Sequence, residues 1–169
     1  MTNTSEWPAD DIETIINKYG DMLYRLCVLM LKNESDAEDV VQETIIKYYQ
    51  KSPTFADCEH EKAWLIRVAT NKCRDLLRFR VRHPQIDDDY LENISYDSSD
   101  CGIIEALASL PEKFRLVLTL HYIEDYRVED MANIINRTSS AVKLRLQKGR
   151  KLLENPELLE KPLSEPVEY

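Results

Sequence analysis

The chain is poor in glycine, histidine and cysteine, and each scarcity closes a class of function. It holds 3 Gly in 169 residues, none in a GxGxxG or Walker spacing, which argues against a phosphate-cradling loop. Its three histidines, His60, His83 and His121, are scattered. No Ser/His/Asp set, HExxH or paired-carboxylate pattern accompanies them, so the expectation is a protein that is not an enzyme and holds no cofactor or metal. Cys27, Cys58, Cys73 and Cys101 form no CxxC pair and read as reduced thiols of a cytoplasmic protein rather than a disulfide frame or zinc site. The longest apolar run, Leu26 to Leu31, falls far short of the ~20 residues of a membrane span, and Met1 to Asp11 lacks the build of a signal peptide; no membrane insertion is expected. Strand signals are also missing: there is no sustained alternation and no Asn-Gly or Asp-Gly turn.

What is present is charge, unevenly placed. The formal net charge is −9, which taken alone disfavours nucleic acid. Yet residues 62–82 carry seven basic side chains against Asp75, and residues 137–151 carry six basic and no acidic ones. Residues 83–112, between them, carry eight acidic and no basic side chains. Two cationic segments can track phosphates at two places on one nucleic acid. The plainer alternative is two solvated helix faces.

Helical periodicity runs through most of the chain. Ile12, Ile15, Ile16 and Tyr19 form a helical stripe, and Gly20 is expected to end or bend that helix before a second one from Met22 to Lys32. Ser35 or Asp36 is placed to cap the next helix, which runs to about Gln50 with Val40, Val41, Ile45, Tyr48 and Tyr49 as its apolar positions. A long helix then spans about Glu61 to Arg80, with Trp64, Leu65, Val68, Ala69, Leu76 and Leu77 inward. His83 to Asp100, with Pro84 and Asp87-Asp88-Asp89, reads as a tether. Helices follow over Ile103–Leu110, from Pro111 onward, over Val128–Ile135 and over Ser139–Leu153, and the tail after Asn155-Pro156 is expected to fray. The architecture expected is all-α: two small helical domains, 8–82 and 102–153, joined by an acidic flexible linker at 83–101 and followed by a disordered tail at 154–169.

Val128 to Leu146 has the build of a helix-turn-helix. Met131, Ala132, Ile135, Val142 and Leu146 face inward, and Asn136 tolerates the left-handed backbone of the turn. The second helix then shows Lys143, Gln147 and Lys148 outward, with Ser139 and Ser140 at its N-terminus, where hydroxyls and free N–H groups suit a phosphate. Lys and Gln can donate to base edges in a major groove. An ordinary antiparallel helix pair with a basic face fits the same periodicity.

Three segments resemble the extracytoplasmic-function sigma factors of the bacterial sigma-70 family, from about Ile12 to Leu153. Asp36-Ala-Glu-Asp-Val-Val-Gln-Glu43 is similar to region 2.2, which docks on the β′ clamp helices of RNA polymerase. Ala63-Trp-Leu-Ile-Arg-Val-Ala-Thr-Asn71, with Asp75 and Arg78, is similar to regions 2.3–2.4, which open and read the promoter −10 element. Leu110-Pro111, Asp130-Met-Ala132 and Ala141-Val-Lys-Leu-Arg-Leu146 are similar to region 4, which reads the −35 element. The family usually has Phe at Ile45, Gly at Asn136 and Thr at Ala141.

The resemblance implies a set of roles. Asp36, Asp39, Gln42 and Glu43 dock on core polymerase, which also offers its β flap. The loop Phe55 to His60 closes over the helix of Asn71 to form a pocket for an unstacked base, with Arg67, Lys72, Arg74 and Arg78 along the strand. Ser139, Ser140, Lys143, Arg145, Gln147 and Lys148 contact −35 DNA. Trp64 is expected in the core. The partners implied are core RNA polymerase, promoter DNA and an anti-sigma factor. The competing reading is a helix-turn-helix regulator that binds a palindromic duplex alone as a dimer.

Overall fold

The computed structural model describes residues 11–51, 53–84, 101–155 and 157, and all the regular structure among them is helical. The chain divides into two compact units, Met1–Ser95 and Tyr96–Tyr169. The acidic tether expected at 83–101 and the tail expected at 154–169 fall mostly outside the described residues.

The first unit is three helices: α1 (Asp11–Leu31), α2 (Glu34–Lys51) and α3 (Cys58–Arg82). Gly20 does not end α1, which continues through it to Leu31, where the sequence allowed a stop. The apolar face runs straight through it, with Ile15, Tyr19, Met22, Leu23 and Leu26 all buried, and that burial outweighs the ~1 kcal/mol a mid-helix glycine costs. The helix stops where Lys32 turns left-handed at φ 55, its N–H bonded to the Val28 carbonyl at 2.8 Å.

The cap of α2 also differs from expectation. Asn33, not Ser35 or Asp36, accepts from the Asp36 N–H through its side-chain oxygen at 2.8 Å. Chain reversal at Lys32 leaves only Asn33 to do this, and such a cap is worth ~1 kcal/mol. Ala37, Val40, Ile45 and Tyr48 are its buried face, while Tyr49 is exposed. Asp57 caps α3 by accepting from the His60 N–H at 2.8 Å, so α3 starts three residues earlier than its apolar pattern suggests. Leu65, Ile66, Val68, Ala69 and Cys73 are its buried face.

The second unit holds α4 (Cys101–Ala108), α5 (Glu112–Leu118) running into a π-helical turn (Thr119–Ile123), α6 (Val128–Ile135) and α7 (Ser139–Glu154). Pro111 stands just before α5 as its cap residue. The buried Arg115 ties the α4–α5 turn by donating from Nη1 to the carbonyls of Ala108 and Leu110, at 3.3 and 3.0 Å. Leu116, Val117, Leu118, Leu120 and Met131 fill the centre. The helix-turn-helix forms as read: Asn136 is left-handed at φ 53 and ψ 54. Thr138 accepts from the Ala141 N–H at 3.1 Å and caps α7. Met131, Ala132, Ile135, Val142 and Leu146 are buried. Gly149 is buried against α5, where an added Cβ would lie 2.9 Å from Leu118 Cδ1. That close approach, which periodicity does not reveal, seats the second half of α7.

Candidate nucleic-acid interface and docking face

Along α3, Trp64, Arg67, Asn71, Arg74 and Arg78 are spaced i, i+3, i+7, i+10 and i+14. At 3.6 residues per turn they fall on one side of the helix, over roughly 21 Å of its length. Arg67 and Asn71 are exposed and the other three half-buried. Arg78 is paired with Asp75 at 3.3 Å. Opposite the stripe lies the apolar face that docks α3 on its neighbours, so core packing fixes which cations look outward.

Lys72 departs from this stripe. It lies roughly 100° around the helix from Asn71 and pairs with Glu43 of α2 at 2.6 Å. Arg80 likewise pairs with Asp36. Two of the four residues expected to form an acidic docking face are thus tied to cations of the basic helix, while Asp39 and Gln42 stand exposed. The Lys72–Glu43 pair, with its carboxylate in solvent, is worth at most ~1 kcal/mol, so a competing charge can open it at small cost. The Arg80–Asp36 pair is more covered, its side chains 15% and 21% exposed, and parts less readily.

The expected base pocket is corrected in one respect. Cys58 to His60 is the first turn of α3 itself. The Phe55 ring stacks on Tyr48 at 5.9 Å, meets His60 edge-on at 5.3 Å, and meets Trp64 edge-on at 5.9 Å. The loop therefore closes over the first two turns of α3, and Asn71 lies about 10 Å further along the axis. Trp64, expected in the core, is half-buried at the rim of this aromatic cluster.

Beneath the cluster is a feature the sequence reading missed. The buried Glu61 carboxylate accepts from Tyr48 at 2.6 Å and Tyr19 at 2.7 Å, and pairs with Lys18 at 3.5 Å. Burial alone pushes this carboxyl up, but the two phenols and Lys18 together hold it below the ordinary carboxylate range. The same burial, with the Glu61 charge beside it, lifts the Tyr19 phenol to about 12. A lone acid among the apolar positions of a helix was the available signal: Glu61 precedes Leu65 by one turn on the same face. This node joins all three helices of the first unit and sets the rotation of α3.

On α7, Ser140, Lys143 and Gln147 are exposed on one outward face. Lys148 and Ser139 are half-buried on opposite shoulders of that face. Arg145 is half-buried and roughly 140° around from Ser140, so it does not join them. Lys151, exposed one turn beyond Gln147, does lie on this face and was missed, although the same spacing predicts it. Nearby, Arg150 packs over the Tyr122 ring, 5.5 Å from its centroid, and donates from Nε to its hydroxyl at 2.6 Å.

No helix among the described residues is long and apolar enough to cross a membrane. Among those residues no cluster of metal-ligating side chains occurs, and Cys27, Cys58 and Cys73 are in no disulfide.

The sequence profile of Sigma-70 region 2 matches residues 15–83, and that of Sigma-70, region 4 matches residues 102–153. The RNA polymerase sigma factor SigV of Bacillus subtilis is 31% identical over 83% of this chain and 87% of its own length. The ECF RNA polymerase sigma factor SigW of the same organism is 29% identical over 85% and 87%. Among solved structures, the sigma factor RpoE of Bartonella quintana, in complex with the anti-sigma factor NepR, superposes with a TM-score of 0.73 at 22% identity. That match covers 90% of this chain and 100% of that one.

Proposed function

The chain belongs to the extracytoplasmic-function sigma factors of the sigma-70 family and is an alternative sigma factor for transcription initiation; from that premise we propose how its faces divide the work. The observation that carries the proposal is a solvent-facing polar and cationic helix face in each unit, each laid over an apolar one. Such a face offers donors to phosphate and base while the core fixes its register.

In this reading α2 docks on the β′ clamp helices of core polymerase. Asp39 and Gln42 meet the partner first, and Asp36 and Glu43 exchange Arg80 and Lys72 for its cations. The second unit rests on the β flap. The α3 stripe follows the opened −10 strand, with Asn71 hydrogen-bonding an unstacked base and Arg67, Arg74 and Arg78 on phosphates; Lys72 joins once Glu43 is drawn away. The Phe55–Trp64 cluster walls the strand's path at the start of α3.

The face of α7 reads the −35 element from the major groove. Lys143, Gln147 and Lys148 face bases and phosphates, Ser139 and Ser140 hold a phosphate at the helix start, and Arg145 contacts the flank. In the same reading an anti-sigma factor covers the docking face; the structural relative is itself in complex with an anti-sigma factor. The work is binding and positioning in the cytoplasm, with no bond made or broken by this chain.

The test is a separation of steps in reconstituted holoenzyme. Lys143→Ala with Lys148→Ala should cut −35-dependent transcription at least tenfold while polymerase binding stays intact. Asn71→Ala should impair open-complex formation, read by permanganate reactivity, more than duplex binding. Loss of polymerase binding in the first variant, or equal loss of both steps in the second, refutes the assigned roles.

A further inference from the structure

The outward face of α7 carries one residue that ordinary phosphate tracking does not use. Leu144 is 50% exposed in the middle of that face. The apolar positions of α7 that pack inward, Val142, Leu146 and Leu152, are all buried, so Leu144 has no part in the core. Around it stand Ser140 one turn before, Lys143 beside it, and Gln147 and Lys148 one turn after, each able to hydrogen-bond to DNA. A leucine at this point is the apolar centre of a polar ring.

On a helix seated in a major groove, the surface that suits such a side chain is narrow. Base edges there present nitrogen and oxygen donors and acceptors, and one apolar group, the C5-methyl of thymine. Lys143 and Gln147 seek hydrogen-bonding edges, and the isobutyl group between them has none to offer. We infer that Leu144 is a specificity-determining residue of α7, contacting the C5-methyl of a thymine in the −35 element. The inference rests on the reading of α7 as the −35 helix and adds the base it selects.

Thymine-to-uracil replacement tests the contact at whichever base pair is touched. Deoxyuridine differs from thymidine only by that methyl and keeps both hydrogen-bonding groups. Promoters selected by holoenzyme transcription from genomic fragments are rebuilt with each −35 thymine replaced by deoxyuridine. Burial of one methyl against an aliphatic side chain corresponds to about three- to fivefold in binding, so wild-type holoenzyme should lose that much at one position. Leu144→Ala, a substitution on an exposed side chain that spares the core, should bind the thymine promoter about as weakly as wild type binds the uridine one, and should no longer distinguish them.

Lys143→Ala serves as the contrast: it should weaken both promoters and keep the thymine-to-uridine ratio. An unchanged ratio in Leu144→Ala, no ratio in wild type at any position, or selected −35 elements without thymine would overturn the inference. Should Lys143→Ala with Lys148→Ala leave −35-dependent transcription intact, the reading of α7 itself fails; a flat uridine scan beside a strong lysine effect sinks only the leucine contact.

Discussion

Replacing Glu61 by alanine probes the node on which the geometry of α3 depends. The change removes the acceptor for two buried phenol hydroxyls, Tyr19 at 2.7 Å and Tyr48 at 2.6 Å, and the partner of Lys18. Hydrogen bonds to a charged group contribute about 1.5–3 kcal/mol each, and each buried hydroxyl left without a partner costs about 1–3 kcal/mol. Part of that overlaps, and water entering the cavity recovers some, so the net loss is about 3–5 kcal/mol. For a unit of this size 1 kcal/mol corresponds to about 4–8 °C, so the melting midpoint of the first unit should fall by roughly 12–40 °C.

Hydrogen exchange followed by mass spectrometry localises the effect. Amides of α1, α2 and α3 should lose protection while those of α6 and α7 keep theirs. Glu61→Gln, whose amide accepts from one phenol and donates to the other, should lose only about 1–2 kcal/mol. The lowered pKa of Glu61 gives a further sign: its contribution is complete above the ordinary value of 4.5 and is lost as pH falls below it. A loss under about 0.5 kcal/mol in Glu61→Ala, the range of an ordinary surface substitution, or one spread over both units, would refute the reasoning.

Other perturbations test separate joints. Because the folded Tyr19 phenol titrates near 12 against an ordinary 10.0, its share of stability should be complete below pH 10 and fall away as pH rises toward 12; Tyr19→Phe should flatten denaturation midpoints measured over that range. Asn136→Gly should raise second-unit stability by about 0.5 kcal/mol in urea denaturation, and Asn136→Ala lower it by about 1 kcal/mol, since φ is 53 there. Gly149→Val should destabilise the same unit by at least about 1–3 kcal/mol, because even the first added carbon meets Leu118 Cδ1 at 2.9 Å; an unchanged midpoint would mean that α7 slides freely on α5.

Much of this molecule is legible from periodicity alone. The helices, the two-unit division and the left-handed Asn136 follow from which apolar residues recur and where small polar residues interrupt them. What escaped depends on contacts between distant segments. Gly20 reads as a break because propensity is local, whereas the continuous apolar face of α1 is secured by packing. Asn33 takes the cap from Ser35 and Asp36 because Lys32 has already turned the chain. Glu43 and Lys72, 29 positions apart, belong to two different expected surfaces, and only packing of α2 on α3 brings them to 2.6 Å. Likewise the Phe55 loop reaches Trp64 and not the turn of Asn71, since Asp57 starts α3 before the apolar pattern begins. Lys151 and Glu61 lie within reach of helical spacing, but the first stands at the end of its pattern and the second is a carboxylate on an otherwise apolar face.

Reconstitution with purified core RNA polymerase is the most direct measurement of the whole account. Transcripts from a fragmented genomic template, mapped at their 5′ ends with and without the chain, should show discrete starts that depend on it and share two upstream elements at a fixed spacing. Failure of the chain to associate with the polymerase, or starts indistinguishable from those of core enzyme alone, would contradict it.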